Sequence, residues 1–115
     1  MYYIQIDHIY HNISESICDW FISKYLSNYQ IELSILEKYD ENGVYGWITN
    51  LDNEYEIEIE KNISKDEFII TLIHELIHLW QHEHNYQCEN ESYRLESILT
   101  TLYVTENELS HQNSF

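Results

Sequence analysis

Residues 68–80 read Phe-Ile-Ile-Thr-Leu-Ile-His-Glu-Leu-Ile-His-Leu-Trp, an apolar run that contains two histidines and one glutamate. The four residues before it, 64–67, read Ser-Lys-Asp-Glu, and a serine three positions ahead of a glutamate is typical of a helix N-terminal capping box. The pattern therefore predicts a helix through the whole stretch. On a helix that advances about 100° per residue, His74 and His78 differ in direction by roughly 40° and lie about one turn apart. Both imidazoles can then reach one metal ion.

Glu75 follows the first histidine and lies about 100° further round the helix. It is too far round to be a third ligand, but it can accept a hydrogen bond from a metal-bound water. Zinc lowers the pKa of such a water to about 7, and an adjacent carboxylate can take its proton during attack on a carbonyl. His74-Glu75-x-x-His78 is the H-E-x-x-H pattern of zinc peptidases. Two structural histidines are the alternative, but the apolar flanks predict burial, and one metal would satisfy both rings.

The composition limits the classes of function. The 115 residues form one expected domain, 1–115, and the two cysteines, Cys18 and Cys88, match no disulfide scaffold or C-x-x-C site. No signal peptide and no membrane-spanning run of residues is recognisable, so we expect a cytoplasmic protein that does not bind membranes. The formal charge is −16 with 5 Lys and Arg residues, which argues against binding to nucleic-acid phosphates. It is compatible with a basic partner or substrate, or with solubility alone.

Hydrophobic periodicity predicts an α+β fold with a mainly antiparallel sheet. In the N-terminal half, the pattern predicts a strand within 2–10, a helix at 14–27 with Ser14 as N-cap, strands at 29–39 and 44–51 joined by an Asn42-Gly43 hairpin turn, a turn at 52–53, and a strand at 54–60 with an acidic face. The motif helix is expected to end near Gln81 or His84, followed by a loop at 82–87. The last predicted elements are a helix at 89–105, with Leu95, Ile98, Leu99 and Leu102 on one face, and a loosely held tail at 106–115.

A catalytic zinc site needs a third protein ligand besides water. Glu91 is the first candidate, because it lies on the predicted core-facing stripe of the last helix, where a charged residue needs a partner. His84 is the second, at the spacing of the third histidine in H-E-x-x-H-x-x-G-x-x-H peptidases, although Gln81 replaces the glycine that would turn the chain. Glu89 is the third. His82 is excluded, since a straight helix cannot direct three successive turns at one ion.

The motif and Asn90-Glu91-Ser92 on a second helix resemble the gluzincin metallopeptidases, in which a glutamate in such a context is the third ligand. The size and order of elements are similar to those of the minigluzincins, and parts of residues 72–93 resemble small phage-encoded H-E-x-x-H proteins. The resemblance implies a zincin-like domain whose metal ligands are His74, His78 and Glu91. Gluzincins commonly have an aspartate four residues after the ligand glutamate to orient the first histidine. That position is Leu95 here, so Glu96 or a backbone carbonyl would have to orient His74.

These inferences predict a zinc-dependent endopeptidase that acts on a peptide or protein, with Glu75 as general base. The expected substrate path is an exposed sheet edge beside the motif helix. Tyr86, Tyr93, Arg94 and Tyr103 are candidates for stabilising the oxyanion. Two alternatives remain open at this point, a catalytically inactive zinc-binding zincin-like interaction module and an acidic mimic of nucleic acid.

Overall fold

Three helices and a four-stranded mixed sheet make up the described part of the chain. The structure, a computed structural model, describes residues 2–5, 10–27, 29–38, 43–51 and 54–112. The elements are β1 (Tyr2–Gln5), α1 (His11–Tyr25), β2 (Glu32–Lys38), β3 (Gly46–Leu51), β4 (Glu54–Glu60), α2 (Lys65–Glu83) and α3 (Glu89–Gln112). The predicted α+β class is confirmed.

The sheet has the strand order β1-β2-β4-β3. β1 pairs parallel with β2, β2 pairs parallel with β4, and β3 pairs antiparallel with β4. The prediction of a mainly antiparallel sheet is therefore wrong, because two of the three pairings are parallel.

The predicted hairpin between β2 and β3 is also wrong, since β4 lies between these two strands. β4 buries every second residue of its alternating pattern, Tyr55, Ile57 and Ile59, and this suits a central position in the sheet. β3 is mostly exposed and suits an edge. Gly43 has the positive φ of 77° expected for a turn residue, whereas Asn42 and the predicted turn at 52–53 lie outside the described residues.

α2 is the central helix and begins as the sequence predicts. The Ser64 hydroxyl accepts from the Glu67 backbone N–H, and the Glu67 carboxylate accepts from the Ser64 N–H, both at 3.2 Å. The helix ends at Glu83, within the predicted range. α1 and α2 pack on the sheet face that carries the buried residues Leu33, Ile35, Tyr55, Ile57 and Ile59. The H-E-x-x-H segment is thus held by packing along most of its circumference.

α1 begins earlier than predicted, at His11 instead of Ser14. Ser14 is not the N-cap, because it is buried in the first turn and its hydroxyl donates to the Tyr10 carbonyl at 2.8 Å. Such a bond to the residue four positions earlier is an ordinary way for a buried serine to satisfy its hydroxyl within a helix.

α3 is longer than predicted, and only half of its predicted apolar stripe packs against the core. It continues to Gln112 through residues that were expected to be loosely held. Ile98 and Leu102, predicted to face the core, are 53% and 42% exposed, whereas Leu95 and Leu99 pack against the core. The most buried positions of the helix are Ser92 and Tyr103. The packed face therefore contains polar residues, and the apolar pattern alone placed it correctly only in part.

None of the helices in the described ranges combines the length and apolar character needed to cross a lipid bilayer.

Candidate metal centre and groove

The two motif histidines lie side by side on α2. Their ring centroids are 4.8 Å apart, and a ligand atom from each of His74, Glu75 and His78 lies within 4.8 Å of the others. His78 is buried and His74 nearly so. The structure therefore brings together the three motif residues that the sequence predicted.

Glu89, the first residue of α3, faces both rings. Its Oε1 lies 2.7 Å from His74 Nε2, and its Oε2 lies 3.2 Å from His78 Nε2. Ligand atoms around a tetrahedral zinc ion, each about 2.0–2.2 Å from the metal, are separated by about 3.3 Å. Two imidazole nitrogens and one carboxylate are thus gathered at nearly the spacing of a three-ligand site, and the Glu89 side chain is 53% exposed and free to adjust.

Glu91, the first-ranked candidate for the third ligand, is not placed with the histidines. Its Oε1 accepts hydrogen bonds from Gln81 Nε2 at 2.9 Å and from the Tyr86 hydroxyl at 2.6 Å. These two bonds hold the pKa of the Glu91 carboxyl below its usual value. Two residues on a helix differ by about 200° in direction, so Glu89 and Glu91 cannot face the same site. The structure thus places Glu89, the third-ranked candidate, at the two histidines, and it places Glu91, the first-ranked one, against Gln81 and Tyr86.

His84 also lies away from the pair. Its Nδ1 lies 2.8 Å from the Trp80 carbonyl, and its Nε2 lies 3.2 Å from the Tyr29 hydroxyl. It occupies the C-terminal cap of α2. Its lower rank as a ligand agrees with this placement.

The hydrogen-bond partner of each Nδ1 atom, on the side of the ring away from Glu89, determines which nitrogen carries the proton. His74 Nδ1 lies 2.6 Å from Glu96 Oε2, and His78 Nδ1 lies 3.0 Å from Gln81 Oε1. An ionised carboxylate and an amide oxygen can only accept, so both Nδ1 atoms must be the donors. Glu96 thus orients His74, as the sequence analysis expected of it or of a backbone carbonyl.

The same bonds decide what faces Glu89. When an imidazole carries its single proton on Nδ1, the lone pair of its Nε2 points toward the Glu89 carboxylate. Three acceptors at 2.7 and 3.2 Å repel one another unless a cation or additional protons lie between them. A divalent ion is suited to two nitrogens and one carboxylate oxygen. The residues present therefore fit a zinc ion.

Gln81 is the buried link between the two helices, and the sequence analysis did not assign it a role. It has no exposed surface, and its Oε1 also accepts from the Cys88 N–H at 3.2 Å. Its Nε2 donates to the Cys88 carbonyl at 2.9 Å as well as to Glu91. One amide therefore fixes the His78 ring and the turn that leads to Glu89. A fully polar residue at the end of an otherwise apolar helix face was the signal available in the sequence.

Glu75 is a buried carboxylate beside this cluster. It is 5% exposed, and its Oε2 has no hydrogen-bond partner among the described residues. Burial raises the pKa of the Glu75 carboxyl, and the neighbouring His74 and His78 act in the opposite direction. An unpartnered buried oxygen is costly, and it is expected where a ligand or water completes the site.

A groove of about 620 Å³ runs past Glu75 between the edge strand β3 and the helices α2 and α3. Its lining residues are Gly43, Val44, Tyr45, Gly46, Trp47, Ile48, Ile70, Thr71, His74, Glu75, His78, Gln87, Glu89, Tyr93 and Glu96. The strand approaches α2 closely at Gly46, where a Cβ atom would lie 2.7 Å from Thr71 Cγ2 and 3.7 Å from Glu75 Cγ. A residue with a side chain here would force the strand away from the motif helix.

One of the four oxyanion candidates lines this groove. Tyr93 is 61% exposed, and its ring centroid lies 5.0 Å from that of His74. The Tyr86 hydroxyl donates to Glu91, and the Tyr103 hydroxyl donates to Ser16 Oγ at 2.7 Å. Arg94 is near Glu91, at 4.0 Å. Tyr93 is thus the candidate that the structure brings to the site.

Comparisons with models of known protein families, with curated proteins and with solved structures found no match to this chain.

Proposed function

We propose that this protein is a zinc-dependent endopeptidase with a zincin-like active-site arrangement. The observation that carries the proposal is the cluster of two Nε2 atoms and the Glu89 carboxylate, at 2.7 and 3.2 Å, next to the buried Glu75. Two imidazole nitrogens and a carboxylate oxygen that face one point are a set of ligands that a divalent metal ion can take.

The ligands of the proposed site are His74, His78 and Glu89. Three protein ligands leave the fourth position of a tetrahedral zinc site open, which is typical of catalytic sites. A bound zinc ion would supply an acidic water and polarise a substrate carbonyl. The bonds from Glu96 and Gln81 to the two Nδ1 atoms hold the rings in the orientation that binding needs.

Glu75 is the proposed general base. Its unpartnered Oε2 is available to accept a proton from a water in the groove, and its burial favours the protonated form that would then deliver the proton to the leaving amine. Tyr93 is the proposed donor to the oxyanion, because it stands over the His74 ring at the mouth of the groove.

β3 offers a place for an extended peptide. The Tyr45 carbonyl accepts from the Glu60 N–H at 2.7 Å, so the alternation of an antiparallel ladder directs the backbone groups of Gly46, Ile48 and Asn50 away from β4. A peptide that pairs with this edge would pass Gly46, where a built Cβ atom lies 3.7 Å from Glu75 Cγ. The pairing would hold a peptide bond beside the proposed metal.

The decisive experiment compares wild type with Glu75→Gln. Both proteins, freed of any affinity tag, should contain one zinc ion per chain by mass spectrometry. The variant should lose cleavage of an unfolded protein substrate by about 10²–10⁴-fold, because the amide cannot accept a proton. Glu32→Gln, an equal charge change at the exposed first residue of β2, is the matched control and should cleave as wild type does.

Two results would contradict the proposal. Zinc retention without any cleavage by wild type would favour the inactive metal-binding module. Absence of zinc from protein purified in metal-containing medium would remove the metal centre altogether and leave the acidic charge as the basis of function.

A further inference from the structure

β3 is an edge strand of the described sheet, and alternate side chains along it are exposed on the sheet face opposite the helices. Trp47 and Leu51 are 43% and 46% exposed, and the smaller Thr49 stands between them. Their cross-strand neighbours on β4 are all glutamates, Glu58, Glu56 and Glu54 respectively. Thr49 thus forms a low point between two large apolar residues, with carboxylates behind it.

An extended peptide on this edge would direct alternate side chains to that same face. Strands lie about 4.8 Å apart, so a peptide residue opposite Thr49 has its Cα about 10 Å from that of Glu56. The side chain of lysine or arginine is long enough, together with that of glutamate, to span this distance above a threonine. Its apolar stem would lie between Trp47 and Leu51, and its charged group would reach the carboxylates.

The groove itself has a matching charge. The lining residues described above include three glutamates and no lysine or arginine. Lys38 places an ammonium group on the strand face at the Trp47 end, where it is buried, donates to the Val44 carbonyl and lies 4.5 Å over the Trp47 ring. Around Thr49 the cross-strand neighbours are carboxylates, so a basic side chain would be attracted there and an acidic one repelled.

The charge is not the only sign of a ligand at this edge. The buried Glu75 Oε2, unpartnered among the described residues, lines the same groove, and Gly46 keeps the strand close to it. The carboxylates of β4 and the groove lie on opposite faces of the β3 edge, so an extended peptide on this edge would present alternate side chains to each of them.

We propose that the protein takes an extended segment with a lysine or arginine opposite Thr49, read by Glu56 and its neighbours Glu54 and Glu58. This specificity rests on the proposed function for the place where the peptide lies. It names the class of substrate as unfolded, basic stretches of polypeptide.

Binding is measured apart from cleavage with zinc-loaded Glu75→Gln as the parent protein. The probe is a set of acetylated, amidated nonapeptide libraries with one fixed residue, Lys, Arg, Gln or Glu, at each position in turn and uncharged residues elsewhere. Bound peptides are quantified by mass spectrometry. One position should show about threefold to fivefold enrichment of Lys and Arg over Gln, as expected for a partly exposed ion pair, with Glu depleted.

Three further variants in that parent separate a local subsite from bulk charge. Glu56→Gln should reduce the enrichment at that position to below about twofold. Glu32→Gln, with the same charge change on the same sheet face but on β2, should leave it unchanged. Thr49→Lys fills the low point with a cation and should reverse the preference toward Glu, with circular dichroism to verify folding.

Equal effects of Glu56→Gln and Glu32→Gln would overturn the subsite, and so would the absence of a charge preference or of any peptide binding. If the preference is found but wild type cleaves none of the selected peptides, the proposed peptidase function fails and the binding specificity stands. If wild type cleaves peptides without a charge preference, the proposed peptidase function stands and the binding specificity fails.

Discussion

The two ends of α3 each contact another helix through a glutamate, but the groups that face the two glutamates differ. Near the C-terminal end, Glu106 accepts from Lys24 Nζ at 2.6 Å and from Trp20 Nε1 at 2.5 Å, both on α1. At the N-terminal end, Glu89 faces the Nε2 atoms of His74 and His78, whose Nδ1 atoms are paired with Glu96 and Gln81. The first contact joins a carboxylate to an ammonium group. The second gathers three groups that can all bind one cation, and this difference is why we propose a metal there.

The largest expected effect is on zinc affinity, at the N-terminal end of α3. Glu89→Gln replaces the proposed carboxylate ligand with a neutral amide, and we expect zinc affinity to fall by at least about 100-fold in competition with a chelator. Glu91→Gln, two residues away, should change the affinity by less than about threefold, because Glu91 bonds Gln81 and Tyr86 instead. A stronger effect of Glu91→Gln than of Glu89→Gln would restore the assignment made from the sequence.

The next effect concerns the orientation of His74. Glu96→Gln can direct an N–H group at Nδ1 and no longer favours the tautomer with a bare Nε2. Zinc affinity should fall by about 10–100-fold, as is usual when the hydrogen-bond partner of a ligating histidine is changed. Ser97→Ala, on the exposed side of the same turn, is the control. Affinities equal to that of wild type would mean that Glu96 does not orient the ring.

A smaller effect is expected at Gln81. Gln81→Leu keeps the volume but leaves His78 Nδ1 with only Ser92 Oγ, at 3.3 Å, and removes both bonds to the Cys88 backbone. The free energy of unfolding of the metal-free protein should fall by about 1–3 kcal/mol in urea titration. Gln87→Leu, an exposed glutamine in the same connection, should leave it unchanged. An equal loss in both variants would remove the special role of Gln81.

The smallest effect is expected on thermal stability, from Glu106 near the C-terminal end of α3. The hydrogen bond from Lys24 holds the pKa of the Glu106 carboxyl below its usual value. Its stabilisation is therefore present above the pKa of the unfolded chain, about 4.3, and is lost as pH falls through the lower folded value. Glu106→Gln should slightly lower the melting temperature at pH 7, with the difference from wild type disappearing in acid and zinc affinity unchanged. A pH-independent difference would contradict this account.

The sequence predicted α2 and its three motif residues because the capping box, the apolar run and the histidine spacing all describe one helix. The proposed third ligand was not predictable in the same way. Apolar periodicity gave α3 a core stripe through Leu95, Ile98 and Leu102, which made Glu91 the inward carboxylate. The packed face carries Leu95 and Leu99 together with Ser92 and Glu96, which contact the motif histidines, and apolar periodicity gives no signal for these two polar positions.

The sheet was only partly predictable for a related reason. Each strand is a local pattern, and all four are close to their predicted positions. Their order in the sheet depends on contacts between strands that are distant in the sequence. The turn signal at Asn42-Gly43 suggested that β2 and β3 pair with each other, but β4 lies between them. Parallel pairing of β2 with β4 leaves no mark within either strand.

The connection between α2 and α3 also affects how the protein folds. His74 and Glu89 are close along the chain, and Asn85, with a φ of 65°, helps the backbone reverse between the two helices. Closing so short a loop costs little conformational entropy, and local contacts of this kind form early. The helical hairpin, and with it the residues of the proposed metal site, is therefore expected to form before the sheet is assembled. The groove depends on the long-range approach of Gly46 to Thr71, so we expect the proposed metal site to form earlier in folding than the groove.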